Sequence, residues 1–192
     1  MRRPVRGSRF GARLAFAALA VLCLWAARAV AAEPAAAPEQ RVKAAFLYKF
    51  GAYVEWPQEA FARNNSPVVI GVAGDEALAR ALAQAVAGRS LNGRPIQVLD
   101  LRPGAAPPAQ LHILFVARGA PRGDADPLTR VRDRPVLTVT ESDDPPPDSV
   151  INFVVVEDHL RFEISLAAAA HRHLVLGSAL LAVARRVYGR QP

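Results

Sequence analysis

The chain has a single cysteine, Cys23, no acidic residue before Glu33, and no apolar run of the roughly 20 residues that a membrane-spanning helix needs. Each shortage excludes something. If Cys23 is removed with a leader, the remaining chain can form no disulfide, offer no thiolate nucleophile and build no cysteine-based metal site. No Gly-x-Ser-x-Gly, His-Glu-x-x-His or phosphate-loop pattern occurs, and the carboxylate pairs lack any spacing that would place them in one cleft. A hydrolase has no nucleophile constellation to work with. The expectation is a protein that is not an enzyme and needs no cofactor.

The first residues supply what the rest lacks. Met1 to Arg13 carries Arg2, Arg3, Arg6, Arg9 and Arg13, and the apolar "LAFAALAVLCLWAA" runs from Leu14 to Ala27, followed by "AVAAE". A basic segment, a short apolar segment and an Ala-x-Ala-like end are the pattern of a secretory signal peptide. Cleavage is expected after Ala31 or Ala32. An uncleaved anchor is the alternative, and Arg28 interrupts the run late. Leu22 before Cys23 does not suit lipoprotein processing, and Arg2-Arg3 stands alone without the rest of a twin-arginine signal. The expected organisation is residues 1–32 as signal peptide, 33–40 as leader and 41–190 as one α/β domain of an exported protein.

This cut changes the charge. The whole chain has 24 Lys+Arg against 17 Asp+Glu, but six of the arginines lie before Glu33, leaving 18 against 17. The basic excess belongs to the leader. Nucleic-acid binding, which needs a concentrated basic face, is not expected.

The stretch "KAAFLYKFGAYVEWP", Lys43 to Pro57, has helical spacing, with Val42, Phe46, Phe50, Tyr53 and Val54 on one stripe and Leu47, Ala45, Ala52 and Trp56 widening it. Pro57 disfavours helical geometry at Trp56 and is expected to close the element. Phe46 and Phe50 are assigned to the core. Tyr53 and Trp56, amphipathic rings near the helix end, are candidates for contact with a partner.

Further along, "VVIGVAG" reads as a buried strand, with Asp75 as N-cap of "EALARALAQAVAG". Strands are expected over Arg94–Leu101, Leu111–Ala117 and Pro135–Thr140, with a weakly helical piece around Leu128 to Arg132. "ESDDPPPDS" is a solvated break whose acids Asp143, Asp144 and Asp148 lack calcium-loop spacing. "INFVVVEDHLRFEIS" alternates on both sides of Glu157-Asp158 and reads as a hairpin. Ser165 should cap a short helix, "LVLG" should be extended, and Ser178 should cap a last helix, "ALLAVARRVYG". Strands alternating with helices argue for a three-layer α/β sandwich around a central mixed β-sheet.

Two motifs read as structural. "GVAGDE" sits where phosphates bind in doubly wound folds, but it lacks the three-glycine spacing, and Asp75 would oppose a phosphate. His171 and His173 have no third ligand near in sequence, so no metal site is expected there. His112 and His159 have no recognisable partner. Arg161 and Glu163 share a strand face, as a lateral ion pair on a half-exposed strand or as part of a contact surface.

"KAAFLYKFGAYVEWP", "VVIGVAGDEALARAL", "LHILFVA", "PVLTVT", "INFVVVEDHLRFEISLAAA" and "SALLAVARRV", in that order over residues 41 to 188, resemble the YfiR-like family of periplasmic proteins. The resemblance implies an α/β sandwich that self-associates into a homodimer. It also implies a binding role without catalysis, in which the protein contacts the periplasmic part of an inner-membrane diguanylate cyclase, holds it inactive and so lowers cyclic-di-GMP and biofilm formation. An outer-membrane lipoprotein would be a further partner. Tyr53, Trp56, Arg161 and Glu163 become the candidate partner-binding residues. The chain departs from the family in two ways: it has no mature cysteine for a redox switch, and Gly177-Ser178 stands where the family has paired serines. A small-ligand sensor feeding a transporter or histidine kinase is the alternative reading. An apolar pocket with convergent polar groups would favour the sensor, and a flat exposed apolar patch the regulator.

Overall fold

The structure is a computed structural model, and it describes residues 37–121, 123–145 and 148–189. The expected signal peptide and the first half of the leader, residues 33–36, lie outside these residues. The first helix, α1 (Pro38–Ala52), starts earlier than expected, with Pro38 in its first turn, where the missing N–H costs nothing. It then ends at Ala52, five residues before Pro57. Tertiary pairing cuts it short: β1 (Val54–Glu55) pairs antiparallel with β9 (Val175–Leu176), and Gly177 donates its N–H to the Tyr53 carbonyl at 2.8 Å. Tyr53 is therefore the C-cap, and Trp56 lies beyond the helix, against expectation.

The sheet is built from β2 (Val68–Ala73), β3 (Ser90–Leu91), β4 (Arg94–Leu101), β5 (Ile113–Val116), β6 (Leu137–Glu141), β7 (Ile151–Val156), β8 (His159–Ser165) and β10 (Arg186–Tyr188). Their spatial order is β10-β8-β7-β6-β5-β2-β4-β3. Pairing is parallel from β4 through β2, β5 and β6 to β7, antiparallel between β7 and β8, and parallel again between β8 and β10. The β7–β8 turn has Glu157 and Asp158 both at positive φ, as a two-residue primed turn requires. The mixed sheet and α/β sandwich expected from the sequence are what the chain forms.

Alternation along the strands divides the core in two. Val68, Ile70, Val72, Ile113, Phe115, Leu137, Val139, Ile151, Phe153, Phe162 and Ile164 join a large cluster with α1 and α2 (Glu76–Val86). α1 is held there by aromatic contacts, Phe46 with Phe162 at 5.7 Å and Phe50 with Phe162 at 4.9 Å between centroids. Phe50 is buried and Phe46 is half-buried against the same cluster, as assigned. On the other face Val69, Leu114 and Val116 pack under Leu128, Val131 and Val136, so the third layer is a short 3-10 segment, Thr129–Val131, and its flanks.

Caps follow the sequence in two cases out of three. Asp75 accepts from the Leu78 N–H at 2.9 Å, and Ser165 from the Ala168 N–H at 3.2 Å, capping α3 (Leu166–His171). Ser178 caps nothing with its side chain: Gly177 holds the N-cap position of α4 (Ser178–Val183). That helix also stops sooner than expected. The Arg185 N–H goes to the Phe162 carbonyl at 2.9 Å, which delivers Arg186–Tyr188 to the sheet edge instead of a further helical turn.

Candidate functional site

Four surfaces bear on function. At the C-terminal ends of parallel strands, ligands commonly enter where the strand order reverses. Here that point lies between β2, whose crossover leads through α2 to β4, and β5 on its other side. It is filled: Gly74 stands at φ +84, and a Cβ on it would lie 3.2 Å from the Ala120 Cβ and 3.3 Å from the Ala117 Cβ. Gly74 is required by both its conformation and that approach. With Asp75 spent on the helix cap, the turn serves local structure. Just beyond it, Arg118 and Asp143 form an exposed ion pair that ties the β5 and β6 exits together, so Asp143 belongs to a bridged loop.

A second surface centres on His112, for which the sequence suggested no partner. It is 1% exposed. Its Nδ1 accepts the Val69 N–H at 3.0 Å, so the proton sits on Nε2, which donates to the Ala60 carbonyl at 3.2 Å. Phe61 stacks on the ring at 4.4 Å, and the Arg94 guanidinium lies over Phe61 at 3.8 Å. Burial, together with Arg94 and Arg134, outweighs the Ala60 hydrogen bond and pushes the His112 pKa down to about 4. Trp56 belongs to this cluster. It is half-buried, meets Phe61 and His112 edge-on, and donates Nε1–H to the His112 carbonyl at 3.3 Å. A Trp before a helix-ending proline is often buried, but the sequence does not show His112, 56 residues away, as its partner.

The outer side of α1 is the third surface. Its inner side is committed: Lys43 is 3% exposed and donates to both oxygens of Glu141, at 2.9 and 3.0 Å, and it also pairs with Glu39. Burial pulls the Lys43 ammonium down, but the two carboxylates more than offset this and hold its pKa above the ordinary lysine value. Outside, Val42 and Tyr53 are each 44% exposed. A trough of about 420 Å³ runs along Pro38, Arg41, Val42, Ala45, Phe46 and Lys49. Arg41 and Lys49 stand two turns apart and make no ion pair among the described residues. Tyr53 is open as expected, and at the end of this face its carbonyl meets Gly177. A Cβ there would come within 3.2 Å of that carbonyl, so glycine suits this close approach.

The fourth surface is the far half of the sheet's second face. Paired positions run Thr140, Asn152, Glu163 across β6, β7 and β8, and all three are buried although polar. Thr140 donates to Asn152 Oδ1 at 2.8 Å and shares a 2.6 Å hydrogen bond with Ser149, while Asn152 donates to the Ser142 carbonyl at 2.9 Å. Glu163 is 7% exposed, and it pairs with Arg185 rather than Arg161. Its second oxygen accepts the Tyr188 hydroxyl at 2.5 Å. The lateral Arg161–Glu163 pair is therefore replaced by a clasp that fastens β10 to β8. Arg161 is exposed. A hollow of about 330 Å³ opens beside this network. Because Phe162 and Ile164 face the α1 side, Glu163 lies on the opposite face of the sheet from α1, and the four residues singled out from the sequence do not form one surface.

His171 and His173 sit at the end of α3, and among the described residues no group of three or more potential metal ligands gathers. Asp148 accepts from Arg132 Nε at 2.9 Å. Arg172, 1% exposed, donates to the carbonyls of Val131, Arg132 at 2.9 Å and Asp148 at 3.2 Å, so it ties the 3-10 segment to the β6–β7 loop. No helix among the described residues is long and apolar enough to cross a membrane.

These elements define an α/β sandwich with a mixed eight-stranded sheet. The chain belongs to the YfiR/HmsC-like family: the family's sequence model matches residues 40–185, from within the first turn of α1 to one residue before β10. No curated protein matches it.

Proposed function

We propose that this chain is a periplasmic regulatory protein that restrains an inner-membrane signalling enzyme, a diguanylate cyclase, by protein–protein contact. It works without catalysis of its own. Family membership supports the kind of role. The observation that carries the contact reading is the outer face of α1, where Val42 and, at the end of the helix, Tyr53 are exposed, and where a trough runs past Arg41 and Lys49, two cations with no ion pair among the described residues. Apolar side chains left open beside free charges suit a partner that supplies apolar and acidic groups. Arg161, exposed on the opposite face of the sheet, lies outside this contact. The test is a strain lacking this protein, in which cyclic-di-GMP should rise. Wild-type protein should restore the low level, and Val42→Glu should not, although it folds. Restoration by Val42→Glu equal to wild type would remove the α1 face from the mechanism.

A second reading, a small-ligand sensor, is favoured by the hollow beside Glu163, where Asn152 and Ser149 join a mainly apolar lining and whose size lies at the lower end of ligand pockets.

A further inference from the structure

One edge of the sheet is open where its strand is apolar. β3 covers only the start of β4: Ser90 pairs with Pro95 and Leu91 with Arg94. Ile96 to Leu101 have β2 on one side and, among the described residues, no strand on the other. Asn92 and Gly93 both stand at positive φ, a two-residue primed turn that makes Leu91 and Arg94 a hydrogen-bonded pair. Arg94 therefore turns its N–H and C=O toward β3, and by the period of two Ile96, Val98 and Asp100 turn theirs the same way, past the end of β3. These outward groups have no partner among the described residues. Sheets commonly protect such an edge with lysine, proline or a bulge. Between Ile96 and Leu101 the one charge is Asp100, and the register with β2 runs without a bulge. The opposite edge is guarded: β10 has three residues, begins with Arg186 and is clasped by Glu163.

A groove of about 490 Å³ runs beside this edge, with Ala83, Val86 and Ala87 on the α2 side and Pro95, Ile96 and Val98 on the β4 side. Ile96 and Val98 are half-buried on this face, and Leu99 and Leu101 are half-buried on the other, so the strand leaves apolar surface open on both. Arg89 is the one charged residue in the lining. Its guanidinium lies 5.4 Å from the centre of the Tyr48 ring and makes no ion pair among the described residues. A row of unpaired N–H and C=O groups calls for an extended chain. A second copy of β4 does not suit. In a two-fold antiparallel pairing that joins outward groups over the free stretch, the second copy's Asp100 would stand against Ile96, Val98 or Asp100. That sets an acid on an apolar position or on its own mate.

We propose that the free edge of β4 receives an extended strand of another protein, with apolar residues at alternate positions facing the α2 groove and an acidic residue at the end that meets Arg89. About six residues would pair, roughly 20 Å of strand. Main-chain pairing supplies the affinity, and the groove with Arg89 supplies the choice of sequence. This surface shares no side chain with the α1 trough and does not depend on that contact.

The test is fluorescence polarisation of the exported protein with labelled synthetic octapeptides that alternate valine and threonine and carry a glutamate at one end or the other. One of them should bind at a single saturable site. A strand turns only alternate N–H groups to its neighbour, so N-methylation of the valines or of the threonines, but not of both alike, should weaken binding by about tenfold or more. Asp100→Pro removes one outward N–H and leaves the β2–β4 ladder intact, as prolines on edge strands do, and it should cause a similar loss. Asp100→Asn should bind as wild type, and Arg89→Glu should lose the glutamate peptide and gain one with lysine in its place. Should Asp100→Pro fail to fold, the methylated peptides and Arg89→Glu carry the test. No binding, equal effects of the two methylations, or full binding by folded Asp100→Pro would each overturn the proposal. Self-association of the wild type that Asp100→Pro abolishes, seen by sedimentation, would give the edge to a second copy and overturn it too. Val42→Glu should bind the peptide as wild type, so the α1 contact is judged separately by its own complementation.

Discussion

Val69 donates its backbone N–H to Nδ1 of His112, which leaves the imidazole no way to take a second proton without losing that bond. The folded pKa of about 4 lies below the ordinary 6.5. Above about pH 6.5 the unfolded and folded chains both hold a neutral ring, and the contribution is fully present. As pH falls, the unfolded chain takes up a proton that the fold refuses, so stability drops until about pH 4 and then levels. The expected loss is up to about 3 kcal/mol over that window, since each pKa unit corresponds to about 1.4 kcal/mol. Urea melts at pH 7.5 and pH 5.0 measure it. His112→Asn, which keeps an acceptor for Val69 but does not titrate, should be less stable at pH 7.5 and nearly flat between the two. A wild type equally stable at both values would contradict the tautomer assigned here.

The Lys43–Glu141 pair makes a second prediction. Lys43 is almost fully covered, so removing its partner leaves a buried charge. Glu39, largely exposed, can compensate only in part. Glu141→Ala should cost about 3 kcal/mol, in the range for breaking a buried pair. Replacing both residues, Lys43→Met with Glu141→Leu, should recover most of that loss, because apolar groups of similar size carry no desolvation cost. Thermal melts of the single and double variants decide it, and a double variant as weak as the single would mean that Glu141 acts through some other contact.

Export can be tested directly. The protein recovered from the periplasm should begin at Ala32 or Glu33, as the five early arginines and the short apolar run suggest. Such a chain lacks Cys23, so reducing agent should leave its melting temperature unchanged. A membrane-bound chain that retains Met1 would contradict the cleavage, and a reproducible shift with reductant would contradict the cysteine-free product.

Much of the fold was legible in local pattern. Val68 to Ala73 is apolar throughout because both of its faces are covered, and Glu157-Asp158 interrupts a period of two, which only a hairpin turn explains. What the sequence misplaced depends on partners distant in the chain. Tyr53 ends α1 because Gly177 captures its carbonyl, and Arg186–Tyr188 is strand because Phe162 and Glu163 receive it. No window of local sequence contains both members of either pair. Glu163 and Arg161 were correctly placed on one strand face. That Arg185, rather than Arg161, would neutralise Glu163 required knowledge of the β8–β10 pairing. His112 shows the same thing: its acceptors and donors come from Val69 and Ala60, 43 and 52 residues away.

Tyr53 and Trp56, only three residues apart, should behave as opposites. Tyr53 is 44% exposed and has only its backbone committed, whereas Trp56 is half-buried against Phe61 and His112 and spends its indole N–H on the His112 carbonyl. Trp56→Ala would remove that packing and leave a void beside β5. It should lower stability by about 2 to 3 kcal/mol, somewhat below the cost for a fully buried aromatic. Tyr53→Ala should stay within about 0.5 kcal/mol of wild type, as exposed substitutions do. Function should divide the other way. If α1 presents the contact face, Tyr53→Ala should weaken association with the periplasmic segment of the proposed partner cyclase by about tenfold or more, in line with aromatic anchors at interfaces. Trp56→Ala, assayed well below its lowered melting temperature, should bind nearly as wild type. Denaturation curves and titrations of the two variants side by side make the comparison. Wild-type affinity in Tyr53→Ala together with a loss in folded Trp56→Ala would move the contact surface from the end of α1 to the Trp56–Phe61–His112 cluster.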